Sequence, residues 1–131
     1  MEQQETIQRI LVVDDEYAIR VLLKSFLEGQ NYEIRLAEDG ASALQLFQEF
    51  RPELIISDIM MPYDNGLSIV SRIREVTPTI KVIYLSAWLD EAETESRLME
   101  ELDRFPFYKL MQKPFNLHSL LEAIRELSPV S

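Results

Sequence analysis

The sequence predicts an α/β fold, a doubly wound parallel sheet with helices on both faces. Three observations carry that prediction. Short apolar runs recur along the chain, and each is separated from the next by a segment with apolar residues at helical spacing. The run Leu54-Ile55-Ile56-Ser57-Asp58 is bounded by turn residues, as strands buried on both faces are. Several runs end in a carboxylate, a hydroxyl or an ammonium, so polar groups collect at one end of the strands.

The elements follow in order. Residues 8–14 form an apolar run ending in acid and predict the first strand. Ile19, Leu22, Leu23, Phe26 and Leu27 then fall on one helical face, and Gly29 is expected to stop that helix. Residues 32–37 alternate as a strand does. Asp39 is placed as the N-cap of a helix carrying Ala43, Leu44, Phe47 and Phe50, which Arg51-Pro52 ends. Residues 54–58 are the third strand. A third helix spans 66–76 with Leu67, Val70 and Ile73 inward, closed by Pro78, and residues 81–86 are the fourth strand.

Residues 90–104 predict a strongly acidic helix. Asp90 and Glu93 stand at capping-box spacing, and Leu98, Met99, Leu102 and Phe105 make its stripe. The fifth strand is placed at 107–112. Asn116 caps a last helix whose inward face is Leu117, Leu120, Leu121, Ile124 and Leu127. The expected organisation is an N-terminal tail over 1–8, one domain over 9–127, and a tail or the start of a linker over 128–131.

Composition narrows the function. The chain has 131 residues, 47% of them hydrophobic, enough for one domain with a sizeable core. It has no cysteine, which excludes a disulfide framework and a thiolate metal site. The net charge of -10 disfavours direct nucleic-acid binding and suits cations and basic partner surfaces. No apolar run is long enough to span a membrane and the first residues are polar, so a cytoplasmic location is the expectation.

Five strands alternating with five helices fit the flavodoxin-like five-stranded order 2-1-3-4-5, which binds ligands outside the carboxyl ends of its strands. There the sequence places Asp14 and Asp15, Asp58, Ser86 and Lys113. Carboxylates about 4 Å apart repel by roughly 4 kcal/mol at an effective dielectric near 20, so the group calls for a cation or a raised pKa. Oxygen ligands alone suit Mg²⁺. A metal beside a lysine clamps phosphoryl oxygens, and a carboxylate within that clamp can attack phosphorus.

With Leu11-Val12-Val13-Asp14-Asp15-Glu16, Asp58-Ile59-Met60-Met61-Pro62, Gly66, Leu85-Ser86-Ala87 and Lys113-Pro114-Phe115 in this order, the chain resembles a response-regulator receiver domain of two-component signalling, of the chemotaxis-regulator kind. The resemblance covers about residues 9–127. It implies Asp58 as phosphoacceptor, and Mg²⁺ held by Asp15 directly, by Asp14 through water, by Asp58 and by the Met60 carbonyl. It implies Lys113 as the partner of Asp58 and then of the phosphoryl group, Ser86 as the switch hydroxyl, and small Ala87 as the opening to the site. Pro62 and Gly66 shape the loop, and the bond before Pro114 is cis. The partner implied is a sensor histidine kinase or a histidine phosphotransfer protein. The protein is then a signalling switch that catalyses only its own phosphoryl transfer and hydrolysis.

Some positions depart from the family. Leu110 stands where a Tyr or Phe is usual, with Tyr108 and Phe107 nearby, and the 27 positions from Ser86 to Lys113 exceed the usual span. Trp88 and Met60 are expected to screen the phosphoryl group from water. Taken alone, Asp15 or Glu16 reads equally as a helix cap, His118 as a surface residue, and the acids of 90–104 as a solvated face. Two other classes compete: a pseudo-receiver that only binds a partner, and a Mg²⁺-dependent phosphatase working through an aspartyl phosphate.

Overall fold

The structure is a computed structural model and describes residues 6–59, 66–87, 100 and 107–128 of the chain. Its elements are β1 (Arg9–Val13), α1 (Tyr17–Glu28), β2 (Glu33–Ala37), α2 (Gly40–Phe50), β3 (Leu54–Asp58), α3 (Gly66–Val76), β4 (Lys81–Ser86), β5 (Tyr108–Gln112) and α4 (Leu117–Leu127). The strands form one parallel sheet in the expected order β2-β1-β3-β4-β5. Among the described residues there are four helices rather than five. The acidic helix expected over 90–104 lies outside the described residues, apart from exposed Glu100.

Parallel register aligns the strand ends. Val13 stands beside Ala37 and Ser57, Asp58 beside Leu85, and Ser86 beside Gln112. Successive side chains point to opposite faces, so each strand feeds two cores. Leu11, Val13, Ile55, Val82 and Tyr84 pack against Ala43 of α2 and Leu67, Val70 and Ile73 of α3. Ile10, Val12, Leu54, Ile56, Ile83 and Leu85 pack against Leu23 and Leu27 of α1 and Leu120 and Ile124 of α4.

The helix ends show what the local sequence does. Asp39 Oδ1 accepts the Ser42 N–H at 2.8 Å, and Asn116 Oδ1 accepts the His118 N–H at 2.7 Å, so both caps form as expected. α1 ends where expected, with Gly29 as its C-cap, but not by a left-handed glycine. Gly29 is right-handed at φ -64, and the left-handed residue is Asn31 at φ 72. Asparagine tolerates that region. Gly29 serves space instead: a Cβ there would lie 3.2 Å from the Phe26 carbonyl oxygen.

One further expectation is corrected and another extended. Leu22 is 46% exposed, because the buried stripe of α1 centres on Leu23 and Leu27 and leaves Leu22 on its flank. On α3, Ile69 and Arg74 are buried in addition to the three expected positions. The Arg74 guanidinium donates to the Tyr84 hydroxyl at 3.3 Å and the Phe107 carbonyl at 3.4 Å, linking α3 to β4 and to the start of β5. At the opposite end of the sheet from the predicted site, buried Glu53 accepts the N–H groups of Gln8 and Arg9 at 2.8 and 2.7 Å and pairs with the Arg9 guanidinium at 2.6 Å.

Candidate functional site

Asp14 is the first residue past β1 and is fully buried. Its N–H reaches the Ala37 carbonyl at 3.1 Å, and its Oδ1 accepts the Glu16 N–H at 2.8 Å. That second bond folds the chain sharply into α1. Glu16 holds the N-cap position, but its carboxylate makes no capping bond. Asp58 closes β3 and is also buried. Gly66 opens α3 directly against it: a Cβ there would meet the Asp58 carbonyl oxygen at 2.0 Å. Only a residue without a side chain lets α3 begin so close to the strand end.

Lys113 follows β5 and crosses the strand ends. Its N–H donates to the Ser86 carbonyl at 2.8 Å, which holds it beside the end of β4. Its ammonium donates to Asp14 Oδ2 at 2.9 Å, Glu16 Oε1 at 3.0 Å and Asp58 Oδ2 at 3.2 Å. The Lys113 side chain is 11% exposed, against 0% for Asp14, 6% for Asp58 and 57% for Glu16. The Lys113-Pro114 bond is cis, as the resemblance implies.

Burial and charge act in opposite directions here. Burial raises the Asp14 pKa above the usual carboxylate value and outweighs the stabilisation from the Glu16 N–H and from Lys113. Burial alone would lower the Lys113 pKa. The hydrogen bonds to Asp14 and Glu16 and the charges of Asp14 and Asp58 overcome that effect, so the ammonium stands well above the ordinary lysine range.

One carboxylate oxygen each from Asp14, Glu16 and Asp58 lies within 4.8 Å of the others. Three such oxygens, in a chain without cysteine, suit a hard divalent cation with water completing its shell. The residues present therefore fit a metal of that kind. Glu16 belongs to this group although the sequence suggested only a helix cap for it. The available signal was that Glu is a poor N-cap, so its place at the head of α1 needed another reason. Asp15, expected as a ligand, is exposed and stands outside the three.

The other expected residues are placed as follows. Ser86 is fully buried at the end of β4, and Ala87 next to it is exposed. Leu110 is 37% exposed and lies opposite Tyr84 in the sheet. Tyr108 shares its strand face and packs against the core beneath α3, while Phe107 is exposed ahead of the strand. His118 is exposed, as a surface residue should be. Met60, Pro62 and Trp88 lie outside the described residues, so the expected metal contact of Met60 and the screen formed by Met60 and Trp88 lie there too. Among the described residues, no helix is long and apolar enough to cross a membrane.

Comparison with known proteins gives a consistent set of relatives. The response regulator receiver domain family matches residues 10–125. Sporulation initiation phosphotransferase F of Bacillus subtilis (strain 168) is 30% identical over 125 residues, covering 94% of this chain and 95% of that protein. Response regulator MprA of Mycobacterium sp. (strain KMS) is 34% identical over 119 residues, 91% of this chain and 50% of that protein, so the chain spans about half the length of that relative. Among solved structures, a CheY-like receiver domain protein from Methanospirillum hungatei JF-1 superposes with a TM-score of 0.81 at 26% identity, covering 92% of this chain and 93% of that one. A response regulator from Burkholderia pseudomallei, solved with a phosphorylated aspartic acid, a calcium ion and citrate, gives 0.76 at 25% identity, over 89% of this chain and 66% of that one.

Proposed function

The chain belongs to the response regulator receiver domain family, and on that basis we propose that it is a phosphorylation-driven signalling switch whose phosphoacceptor is Asp58. One observation carries the proposal. The Lys113 ammonium stands 3.2 Å from Asp58 Oδ2 at the point where Asp14 and Glu16 also converge. A nucleophilic oxygen, a fixed cation and a set of metal ligands are thereby brought together at one strand edge.

The donor is a phosphohistidine on a sensor kinase or a phosphotransfer protein. An Asp58 oxygen forms the new P–O bond as the P–N bond breaks, and the electron pair leaves with the imidazole nitrogen. Lys113 neutralises the oxygens of the transferring group. Asp14 and Asp58, with Glu16 or Asp15 and water, are the residues to hold Mg²⁺. When bound, that ion supplies further neutralisation of the phosphoryl oxygens. Exposed Ala87 leaves the approach open.

The phosphoryl group adds about -1.5 to -2 of charge. That charge attracts the Ser86 hydroxyl, and the surface around β5 and α4 shifts toward a partner-binding state. The working unit is residues 9–127. Its chemistry is its own phosphorylation and hydrolysis, in the service of signalling. The phosphorylated aspartic acid of the Burkholderia pseudomallei regulator supports the choice of acceptor chemistry.

Intact-mass spectrometry after incubation with acetyl phosphate tests the proposal, with and without Mg²⁺, on wild type and Asp58→Asn. One added phosphoryl group, dependent on Mg²⁺ and absent from the variant, is the expected result. No addition to a protein that also fails to bind Mg²⁺ would overturn it in favour of a binding module. Turnover of many equivalents of donor would point to a phosphatase.

A further inference from the structure

We propose that Glu16 is a positioning residue for this site: its carboxylate tethers the Lys113 ammonium in the resting protein and releases it when a phosphoryl group arrives on Asp58. The inference rests on the phosphoacceptor role of Asp58. An ammonium has three N–H donors. Lys113 spends one on each of Asp14, Glu16 and Asp58, at 2.9, 3.0 and 3.2 Å. Its donors are then all engaged, and a phosphoryl oxygen can gain one only where another bond is given up.

The three bonds differ in what their loss costs. Asp14 is fully buried, and a buried carboxylate deprived of its cation is strongly disfavoured. Asp58 carries the incoming group. Glu16 has a side chain 57% exposed, so water replaces the lost bond at small cost. Its carboxylate makes no capping bond to α1, so letting go of Lys113 leaves the helix start unchanged. Glu16 is therefore the one partner of the three built to release. The tether keeps Lys113 extended across the strand ends before phosphorylation. It also competes with the phosphoryl oxygens for the ammonium, which sets how readily the group is accepted.

The test uses the whole chain, with Glu16→Gln and Glu16→Ala as variants. Hydrogen exchange of the Lys113 ammonium is followed by ¹⁵N NMR without divalent metal, the resonance being identified by its loss in Lys113→Arg. Mg²⁺ affinity is measured by calorimetry, and phosphorylation by acetyl phosphate at saturating Mg²⁺ by intact mass. In both variants the ammonium is expected to exchange faster and the phosphorylation rate to rise, each by up to about fivefold, the span of an exposed ion pair. The calorimetric Kd fixes the Mg²⁺ concentration that saturates each protein, so a change of metal affinity in the variants, whose carboxylate stands among the candidate ligands, does not enter the rates.

Unchanged exchange or an unchanged rate overturns the inference. So does slower phosphorylation at saturating Mg²⁺, which leaves Glu16 no part beyond its place among the candidate metal ligands. A wild type that accepts phosphate beside insensitive Glu16 variants refutes the tether alone. A wild type that accepts none refutes the role of Asp58, and the release step with it.

Discussion

Replacing Gly66 by alanine drives a methyl carbon into the end of β3. That carbon would stand 2.0 Å from the Asp58 carbonyl oxygen, 3.0 Å from its carbonyl carbon and 3.0 Å from Ser57 Oγ. Ordinary contacts begin near 3.4 Å, so the two segments must separate by more than about 1 Å. The nearest atom belongs to the backbone, and no rotamer change relieves the clash. Overpacking of this kind costs about 1–3 kcal/mol. Separation also stretches the 2.9 Å bond from the Gly66 N–H to the Ile59 carbonyl, worth about 1 kcal/mol. The expected loss is therefore roughly 2–4 kcal/mol, a large share of the ~5–15 kcal/mol typical of a domain. It should appear as a lower urea midpoint with an unchanged slope, and as a melting temperature lower by roughly 8–15 °C.

The residue displaced is the proposed phosphoacceptor, so chemistry should suffer with stability. A misplacement of about 1 Å can cost on the order of a hundredfold in rate. The assay is phosphoryl addition from acetyl phosphate with Mg²⁺, followed by intact mass at a temperature where both proteins are folded. No described glycine has positive φ, so backbone strain does not enter, and Gly66→Ser should behave as the alanine variant does. A Gly66→Ala protein with wild-type midpoint and wild-type rate would refute the close-approach argument.

Three other outcomes are expected. Asp14→Asn, without divalent metal at neutral pH and low salt, should stabilise the fold. The substitution removes a buried charge whose burial outweighs its hydrogen bond from the Glu16 N–H and its attraction to Lys113. Because burial raises the Asp14 pKa, the folded state takes up this proton before the unfolded state does, and its ionisation costs stability as pH rises through the raised value. The advantage of asparagine should thus grow from acid toward neutral pH; parallel stability curves for the two proteins would contradict it. Mg²⁺ should raise the unfolding free energy by about 1.4 kcal/mol at tenfold excess over its Kd, reversibly by chelator and less in Asp58→Asn, and a thermal scan insensitive to Mg²⁺ would count against the metal site. Glu53→Ala, which strips two backbone N–H groups of their buried acceptor, should destabilise by roughly 2–4 kcal/mol and leave the phosphorylation rate per folded molecule unchanged; a slower rate would show that the two ends of the sheet communicate.

Much of this architecture is legible along the chain. The apolar runs at 54–58 and 81–86 are buried throughout apart from half-buried Lys81, and the alternation of strands with helical stripes leaves few topologies open. Asp39 and Asn116 act as the caps their residue types suggest, because capping is decided within three residues. Asp14, Asp58 and Lys113 could be placed at one edge from parallel winding alone, since every parallel strand ends on the same side.

Other features depend on residues far apart in the sequence. Glu16 joins the site only because Lys113, 97 residues away, reaches across the strand ends to it. Periodicity gives no warning that Arg74 is buried, because its partners Tyr84 and the Phe107 carbonyl come from β4 and the start of β5. Gly66 reads as the start of a helix, but why it must be glycine shows only when α3 is laid against the Asp58 carbonyl. By itself the sequence determined the described elements, their order and the chemistry at their ends, since these follow from local spacing and from the handedness of the connections. The tertiary structure alone decided which carboxylates share the ammonium and how exposed each is, because electrostatic strength depends on distance and burial, and both exist only once the chain has closed.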